Sequence, residues 1–101
     1  MDDRKICQKL CSIYSNAKDR ELECNLSFQD IKKLMLKKKC YFTGVPFTEE
    51  GPDSRSIDRL DNSKGYIKGN VVACGQGLNG RKSNFSIKEI VQLYKGIKHL
   101  L

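Results

Sequence analysis

Residues 56–74 read SIDRLDNSKGYIKGNVVAC, and this stretch decides the fold. Residues 56–60 alternate polar and apolar side chains, a pattern that is typical of a half-buried strand. Residues 61–65 are turn formers, among which Gly65 permits a positive φ. Residues 70–74 are apolar and rich in β-branched side chains, so they suit a return strand. The stretch therefore predicts a strand, a polar turn and a second strand.

A short helix is predicted over residues 78–82, because Gly75 and Gly77 break the second strand just before it. The whole pattern resembles the HNH (His-Me finger, ββα-metal) endonucleases, in particular small phage-type members with an Asp-Arg variant of the motif. The likeness covers roughly residues 40–82. It is carried by a spaced set of residues: Asp58, Asp61, Gly65, Tyr66, Asn70, Asn79 and Lys82.

The fold class that this resemblance implies is α+β, with a ββα-metal core flanked by N-terminal helices and a C-terminal helix. A chain of 101 residues is close to the usual size of one domain. We expect a helical N-terminal part over residues 1–39, the core over residues 40–82 and a helix over residues 83–101.

Composition points to a polyanionic partner. Nineteen Lys and Arg against twelve Asp and Glu give a net charge of +7, which favours nucleic acid. No segment is long and apolar enough to span a membrane, and the first residues lack the apolar centre of a secretory signal. We therefore expect a cytoplasmic protein, in a bacterium that is infected by a phage or carries a prophage, and no membrane partner.

The five cysteines fit a reducing, intracellular environment, because their number is odd. Some HNH proteins hold a zinc ion between two Cys-x-x-Cys pairs. Here the first pair is replaced by Cys40-Tyr41-Phe42-Thr43, and only Cys74 follows in the core. Structural zinc needs four thiolate or imidazole ligands, so we expect no structural zinc.

The flanking segments carry helical patterns. Apolar residues recur on one face over residues 4–20, about 28–38 and the C-terminal segment. Ser27 with Asp30, and Ser86 with Glu89, predict capping boxes that begin the second and third helices. A lysine cluster lies toward the end of the second helix, where it either complements the helix dipole or contacts phosphate. Its members are Lys32, Lys33, Lys37, Lys38 and Lys39.

The resemblance also implies which residues carry the chemistry, namely metal-assisted phosphodiester hydrolysis. By position, Asp58 matches the carboxylate metal ligand, and Asn79 matches the ligand on the short helix. Asn70 matches the residue whose amide ties the loop to the backbone and orients the catalytic residue. The ion implied is Mg²⁺, with Mn²⁺ as an alternative, because hard cations prefer carboxylate and amide oxygens.

Arg59 departs from the pattern, because it stands where the family has its general-base histidine. A guanidinium stays protonated in proteins, so it cannot accept a proton. Three accounts remain open: Arg59 engages the scissile phosphate, or Asp61 or Tyr66 serves as the base, or the site is inactive. The only histidine, His99, is the third residue from the end of the sequence, and we do not expect it to be catalytic.

The resemblance implies two alternative functions. The first is a metal-dependent DNA endonuclease that nicks or cuts its substrate, with Lys64, Lys68, Arg81 and Lys82 along the DNA backbone. The second is a catalytically inactive HNH-fold protein that binds nucleic acid or a host or phage protein. The presence of both Asp58 and Asn79 favours the enzyme, and the missing base favours the binding protein. RNA stays open as an alternative substrate.

Overall fold

The computed structural model describes residues 2–78 and 85–101. Within them, the elements follow the order α1 (Asp3–Asp19), α2 (Phe28–Met35), β1 (Arg55–Arg59), β2 (Val71–Gly75) and α3 (Ile87–Ile97). A 3₁₀ turn, Lys98–Leu100, follows α3. Residues 76–78 take a helical conformation directly after β2. This combination of helices with a small antiparallel sheet is the α+β class that the sequence predicts.

Helices α1 and α2 pack together and form most of the core. Asp2 caps α1 by accepting a hydrogen bond from the Lys5 backbone N–H, and Ser27 and Asp30 form the predicted capping box of α2. The buried side chains that meet at the centre come from both helices, the connection between them and β1: Ile6, Ile13, Leu26, Ile31 and Ile57. Burial of these branched apolar groups is the main stabilising term of the fold.

The two strands pair antiparallel, with Ile57 opposite Ala73, Asp58 opposite Val72, and Arg59 opposite Val71. Successive side chains of a strand point to opposite faces. Ile57 and Arg59 are therefore buried on the helical side, whereas Asp58 is half-buried on the other face. β1 begins and ends one residue earlier than predicted, and β2 begins and ends one residue later.

The loop between the strands is held against the connection between α1 and α2. Cys24 and Tyr66 form a parallel bridge, in which the Tyr66 N–H donates to the Glu23 carbonyl at 2.8 Å. Gly65 is buried here, and a Cβ at this position would collide with the Glu23 carbonyl oxygen. Gly65 does not use the positive φ that it permits; Gly69 does, at φ +85°. Close approach of two backbone segments, rather than turn geometry, requires the glycine at position 65.

Residues 37–48 form an irregular segment that covers the free edge of β2. The Tyr41 N–H donates to the Ala73 carbonyl at 2.9 Å, and Lys39 pairs with Pro46 in an antiparallel bridge. Arg55 fixes the start of this segment, because its Nη2 donates to the Lys37 carbonyl at 2.6 Å. The Arg55 guanidinium also lies 4.9 Å from the centroid of the Phe47 ring. Helix α2 consequently ends at Met35, shorter than the predicted helix over residues 28–38.

Helix α3 begins with the capping box that the sequence predicts, formed by Ser86 and Glu89. None of its residues is buried, although its apolar side chains recur at helical spacing. Among the described residues, no helix is both long and apolar enough to cross a membrane.

Candidate functional site

Asp58 lies near the end of β1, on the face of the hairpin opposite the helical core. Its Oδ1 accepts a hydrogen bond from the Arg59 backbone N–H at 2.8 Å, which fixes the orientation of the carboxylate. The carboxylate is half-buried and belongs to a rigid paired strand. It is therefore a preorganised oxygen donor, of the type that a hard divalent cation prefers.

Arg59 points the other way, into the protein. Its side chain is only 6% exposed, and its Nη1 donates to the carbonyls of Asn62 and Lys64, both at 2.9 Å. The guanidinium carbon lies 5.5 Å from the centroid of the Tyr66 ring, which is a cation–π distance. Arg59 thus holds the loop between the strands from inside. Its engagement of a scissile phosphate stays a prediction.

Asn70 holds the same loop from the other end. Its side chain is 6% exposed, and its Oδ1 accepts from the Asp61 N–H at 2.9 Å. Its Nδ2 donates to the carbonyls of Asp61 at 3.1 Å and Gly65 at 2.8 Å. The loop tie that the resemblance implies for Asn70 is therefore present in the structure. That it orients a catalytic group remains a proposal.

Asp61 and Tyr66, the two alternative bases, both form hydrogen bonds within the protein. The Asp61 Oδ1 accepts from the Ser63 hydroxyl at 2.6 Å and from the Ser63 N–H at 2.9 Å. These hydrogen bonds hold the pKa of the Asp61 carboxyl below its usual range, which makes it a weaker proton acceptor at neutral pH. The Tyr66 ring packs against the core, and its hydroxyl accepts from Arg20 at 3.5 Å.

The basic residues proposed for nucleic-acid binding divide into two groups. Lys64 and Lys68 are exposed on the loop between the strands, and the Lys68 Nζ lies 3.9 Å from the Asp30 carboxylate. Arg81 and Lys82, together with the proposed metal ligand Asn79, lie outside the described residues. The structure therefore brings Asp58, Arg59, Asn70 and Lys64 to one hairpin.

Cys40 and Cys74 are both buried, and all five cysteines are free thiols. Burial raises the pKa of the Cys40 thiol, but hydrogen bonds from the Thr43 hydroxyl and from the backbone N–H groups of Gly75, Thr43 and Phe42 together outweigh it and lower the pKa. In the part of the chain that the structure describes, no three Cys, His, Asp or Glu side chains are grouped to hold a metal ion. The prediction that the protein has no structural zinc stays a prediction.

Two residues outside the motif help to form this region, and the sequence interpretation gave neither a role. Arg55 anchors the end of α2, and Tyr41 stands exposed beside β2. An aromatic residue two positions after a run of lysines was the available signal for Tyr41. No comparable signal existed for Arg55, because its acceptor is a backbone carbonyl 18 residues away.

Two viral proteins resemble the sequence, both described as uncharacterised. An Enterobacteria phage T4 protein of 29.0 kDa, encoded in the dda–modA intergenic region, is 37% identical over 91 residues, which is 88% of this chain. An Acanthamoeba polyphaga mimivirus protein is 30% identical over 82 residues, or 77% of this chain. The chain spans only 36% and 15% of their lengths, respectively. No family model matches the chain.

A solved structure resembles the fold. It is PacI, described as a rare-cutting HNH restriction endonuclease that perturbs DNA by an extraordinary mechanism. The likeness covers 95% of this chain and 78% of PacI, with a TM-score of 0.69 and 21% sequence identity. A sequence identity this low, together with this structural similarity, supports a shared fold but not a shared activity. The chain therefore has an HNH-like α+β fold.

Proposed function

We propose that the protein is a metal-dependent DNA endonuclease of phage HNH type. The observation that supports this most is the position of Asp58, a half-buried carboxylate near the end of β1 in an HNH-like hairpin. The net charge of +7 and the T4 relative agree with a phage protein that acts on a polyanion. PacI supports DNA as the substrate class, since it is described as a restriction endonuclease.

The donor chemistry of Asp58 fits a hard divalent ion such as Mg²⁺ or Mn²⁺. In this proposal Asp58 and Asn79 hold the ion, although only Asp58 lies among the described residues. When bound, such an ion supplies Lewis-acid stabilisation of the charge that develops on the scissile phosphate and the leaving oxygen. The hairpin contributes a carboxylate whose direction is fixed before the substrate arrives.

Arg59 and Asn70 act on this site through the loop between the strands. Arg59 donates to the Asn62 and Lys64 carbonyls, and Asn70 donates to the Asp61 and Gly65 carbonyls. Together they fix the loop that carries Lys64, so that this lysine is positioned for contact with the DNA backbone. Lys68, Arg81 and Lys82 complete the proposed phosphate contacts.

A second function is supported by the absence of a histidine at position 59 of β1, where the resembling family has its general base. The only histidine, His99, lies in the C-terminal 3₁₀ turn and is exposed. Arg59 cannot accept a proton. A protein with this fold and without a working base would bind nucleic acid, or a host or phage protein, without cutting DNA.

The deciding experiment is nicking of supercoiled plasmid by the pure protein with Mg²⁺, Mn²⁺ or EDTA. We expect metal-dependent nicking that is lost in Asp58→Ala and Asn79→Ala. Asp19→Ala is the matched control, since Asp19 is an exposed carboxylate at the end of α1 and should leave nicking unchanged. Intact plasmid under every condition, with DNA still bound at low salt, would instead establish the binding protein.

A further inference from the structure

A groove lies beside the proposed site, on the edge of β2 that does not pair with β1. It has a volume of about 280 Å³ and runs between the end of α2, the irregular segment after it and β2. Leu34, Val71 and Ala73 form its apolar floor. A space of this size is at the lower limit of small-molecule sites, and an apolar floor accepts a flat ring better than a charged group.

The rim of the groove has the opposite character. Lys37, Lys39 and Tyr41 line it, and all three side chains are exposed. Tyr41 is 63% exposed, although a tyrosine ring usually buries most of its surface. Among the described residues that line the groove, none is acidic. An aromatic face flanked by two cations is the combination that binds a nucleobase together with its neighbouring phosphates.

Backbone contacts hold the rim in place. The Lys37 carbonyl accepts from both Nε and Nη2 of Arg55, at 3.2 and 2.6 Å. The Tyr41 N–H donates to the Ala73 carbonyl at 2.9 Å, and the Tyr41 ring meets the Phe42 ring edge to face with centroids 5.2 Å apart. The groove is therefore preorganised, which reduces the entropic cost of binding a ligand there.

The groove borders the proposed catalytic hairpin directly. Val71 and Val72, which line the groove, are the strand partners of Arg59 and Asp58. Neighbouring strands lie about 4.8 Å apart, so a ligand in the groove lies within one nucleotide or two of the Asp58 strand. The groove and the Asp58 strand therefore lie on the two sides of β2, one strand apart.

We propose that this groove binds an unpaired base of a DNA strand, with the base stacked on Tyr41 and the adjacent phosphates on Lys37 and Lys39. The proposal rests on the proposed function only in taking DNA as the partner; it requires no cleavage. We specify an unpaired base because both faces of a base in a regular duplex are stacked on neighbouring bases, so neither face is available to Tyr41. The lysines, and the lack of an acidic residue in the described part of the lining, favour DNA over an apolar peptide.

Binding of fluorescent oligonucleotides in EDTA tests the groove without any cleavage. The probes are a single strand, a duplex of the same sequence and a duplex with one unpaired base. We expect Tyr41→Ala to weaken binding of the single strand and of the bulged duplex about tenfold, and to leave the regular duplex unchanged. Tyr41→Phe keeps the ring and should bind like the wild type. Lys37→Gln with Lys39→Gln should lower the salt slope by about 1.4 for single strands.

Tyr94→Ala is the matched control, because Tyr94 is 56% exposed on α3 and does not line the groove. Equal single-strand affinity of Tyr41→Ala and the wild type would overturn the proposal, as would equal losses in Tyr41→Ala and Tyr94→Ala. Wild-type protein that binds none of the three probes would also overturn it. The failure of the nuclease proposal is distinguishable from this result. In that case no plasmid is nicked, but Tyr41→Ala still weakens binding of the single strand and the bulged duplex and leaves the regular duplex unchanged.

Discussion

The guanidinium of Arg59 lies 5.5 Å from the centroid of the Tyr66 ring, inside the loop that joins the two strands. One side chain comes from the strand before the loop and the other from the loop itself, so their contact closes the loop on its own base. The position at which the resembling family carries a proton acceptor thus holds a buried cation that organises the backbone.

Replacing Arg59 tests this structural role. Arg59→Met removes the donor of the Asn62 and Lys64 carbonyls, which lie in part-buried hydrogen bonds, and an acceptor left unsatisfied costs up to about 1–3 kcal/mol. We expect the free energy of unfolding in urea, measured in EDTA, to fall by about 2–4 kcal/mol. Arg59→Lys keeps the charge but not the planar guanidinium, so its stability should lie between that of the wild type and that of Arg59→Met. Unchanged stability of Arg59→Met would mean that the arginine serves only a ligand.

Asn70 should stabilise the folded protein, in addition to holding the loop of the proposed site. Asn70→Ala removes one accepted and two donated hydrogen bonds in a side chain that is 6% exposed. We expect a loss of about 2–4 kcal/mol in urea unfolding. Asn70→Asp is the informative second variant, since it retains the bond from the Asp61 N–H but places a carboxylate oxygen against two carbonyls. It should be at least as unstable as the alanine variant; a stable Asn70→Asp would contradict the hydrogen bonds that the structure assigns to Nδ2.

Two glycine substitutions should have opposite effects. Gly65→Ala places a methyl group against the Glu23 backbone, and overpacking of this kind costs about 1–3 kcal/mol. Gly96→Ala, within α3, meets nothing within 4 Å and should stabilise the helix by about 0.5–1 kcal/mol. Thermal unfolding of both variants checks the pair. A neutral Gly65→Ala would show that the loop and the α1–α2 connection separate easily.

Asp30 should make the stability depend on pH in acid. The Ser27 backbone N–H, which donates to Asp30 at 2.8 Å, is the largest of the effects that hold the pKa of this carboxyl below its ordinary value. A lowered folded-state pKa stabilises the protein above the unfolded value of about 3.9, and this contribution is lost as the pH falls through the folded pKa. We therefore expect Asp30→Asn to lose less stability than the wild type on acidification below about pH 4.

Urea midpoints across this range provide the measurement, with Asp19→Asn as the comparison. Asp19 is exposed at the end of α1 and belongs to no capping box, so its variant controls for the loss of one negative charge. Parallel curves for the wild type and Asp30→Asn would rule out the capping carboxylate as a source of acid sensitivity.

The hairpin and the helix starts were predictable because their signals are local. Period-two alternation identified β1, and the Ser27 and Ser86 capping boxes identified where α2 and α3 begin. The end of α2 was not predictable. The helix ends at Met35 because the following segment pairs with residues 45–47 and the Lys37 carbonyl accepts from Arg55, contacts that are distant in sequence.

The sequence motif predicted which residues the hairpin carries, but not the directions in which their side chains point. The alternation of β1 places Asp58 and Arg59 on opposite faces, but which face is buried depends on where α1 and α2 pack. The motif identified Gly65 correctly, whereas its reason, close approach to Glu23, depends on a contact between parts of the chain that the motif does not include. Residues 79–84, which include three of the predicted site residues, lie outside the described part of the chain.

The bond between the Lys68 N–H and the Asn25 side chain joins residues 43 positions apart, next to the parallel bridge between Cys24 and Tyr66. Opening of the loop between the strands must therefore break backbone contacts with the helical pair. Amide exchange of Tyr66 and Lys68 should then follow the same opening free energy as Asn25, so that the loop and the helix connection behave as one cooperative unit. The N-terminal helices are on this account a scaffold for the hairpin, and removing them would release the loop that carries the site.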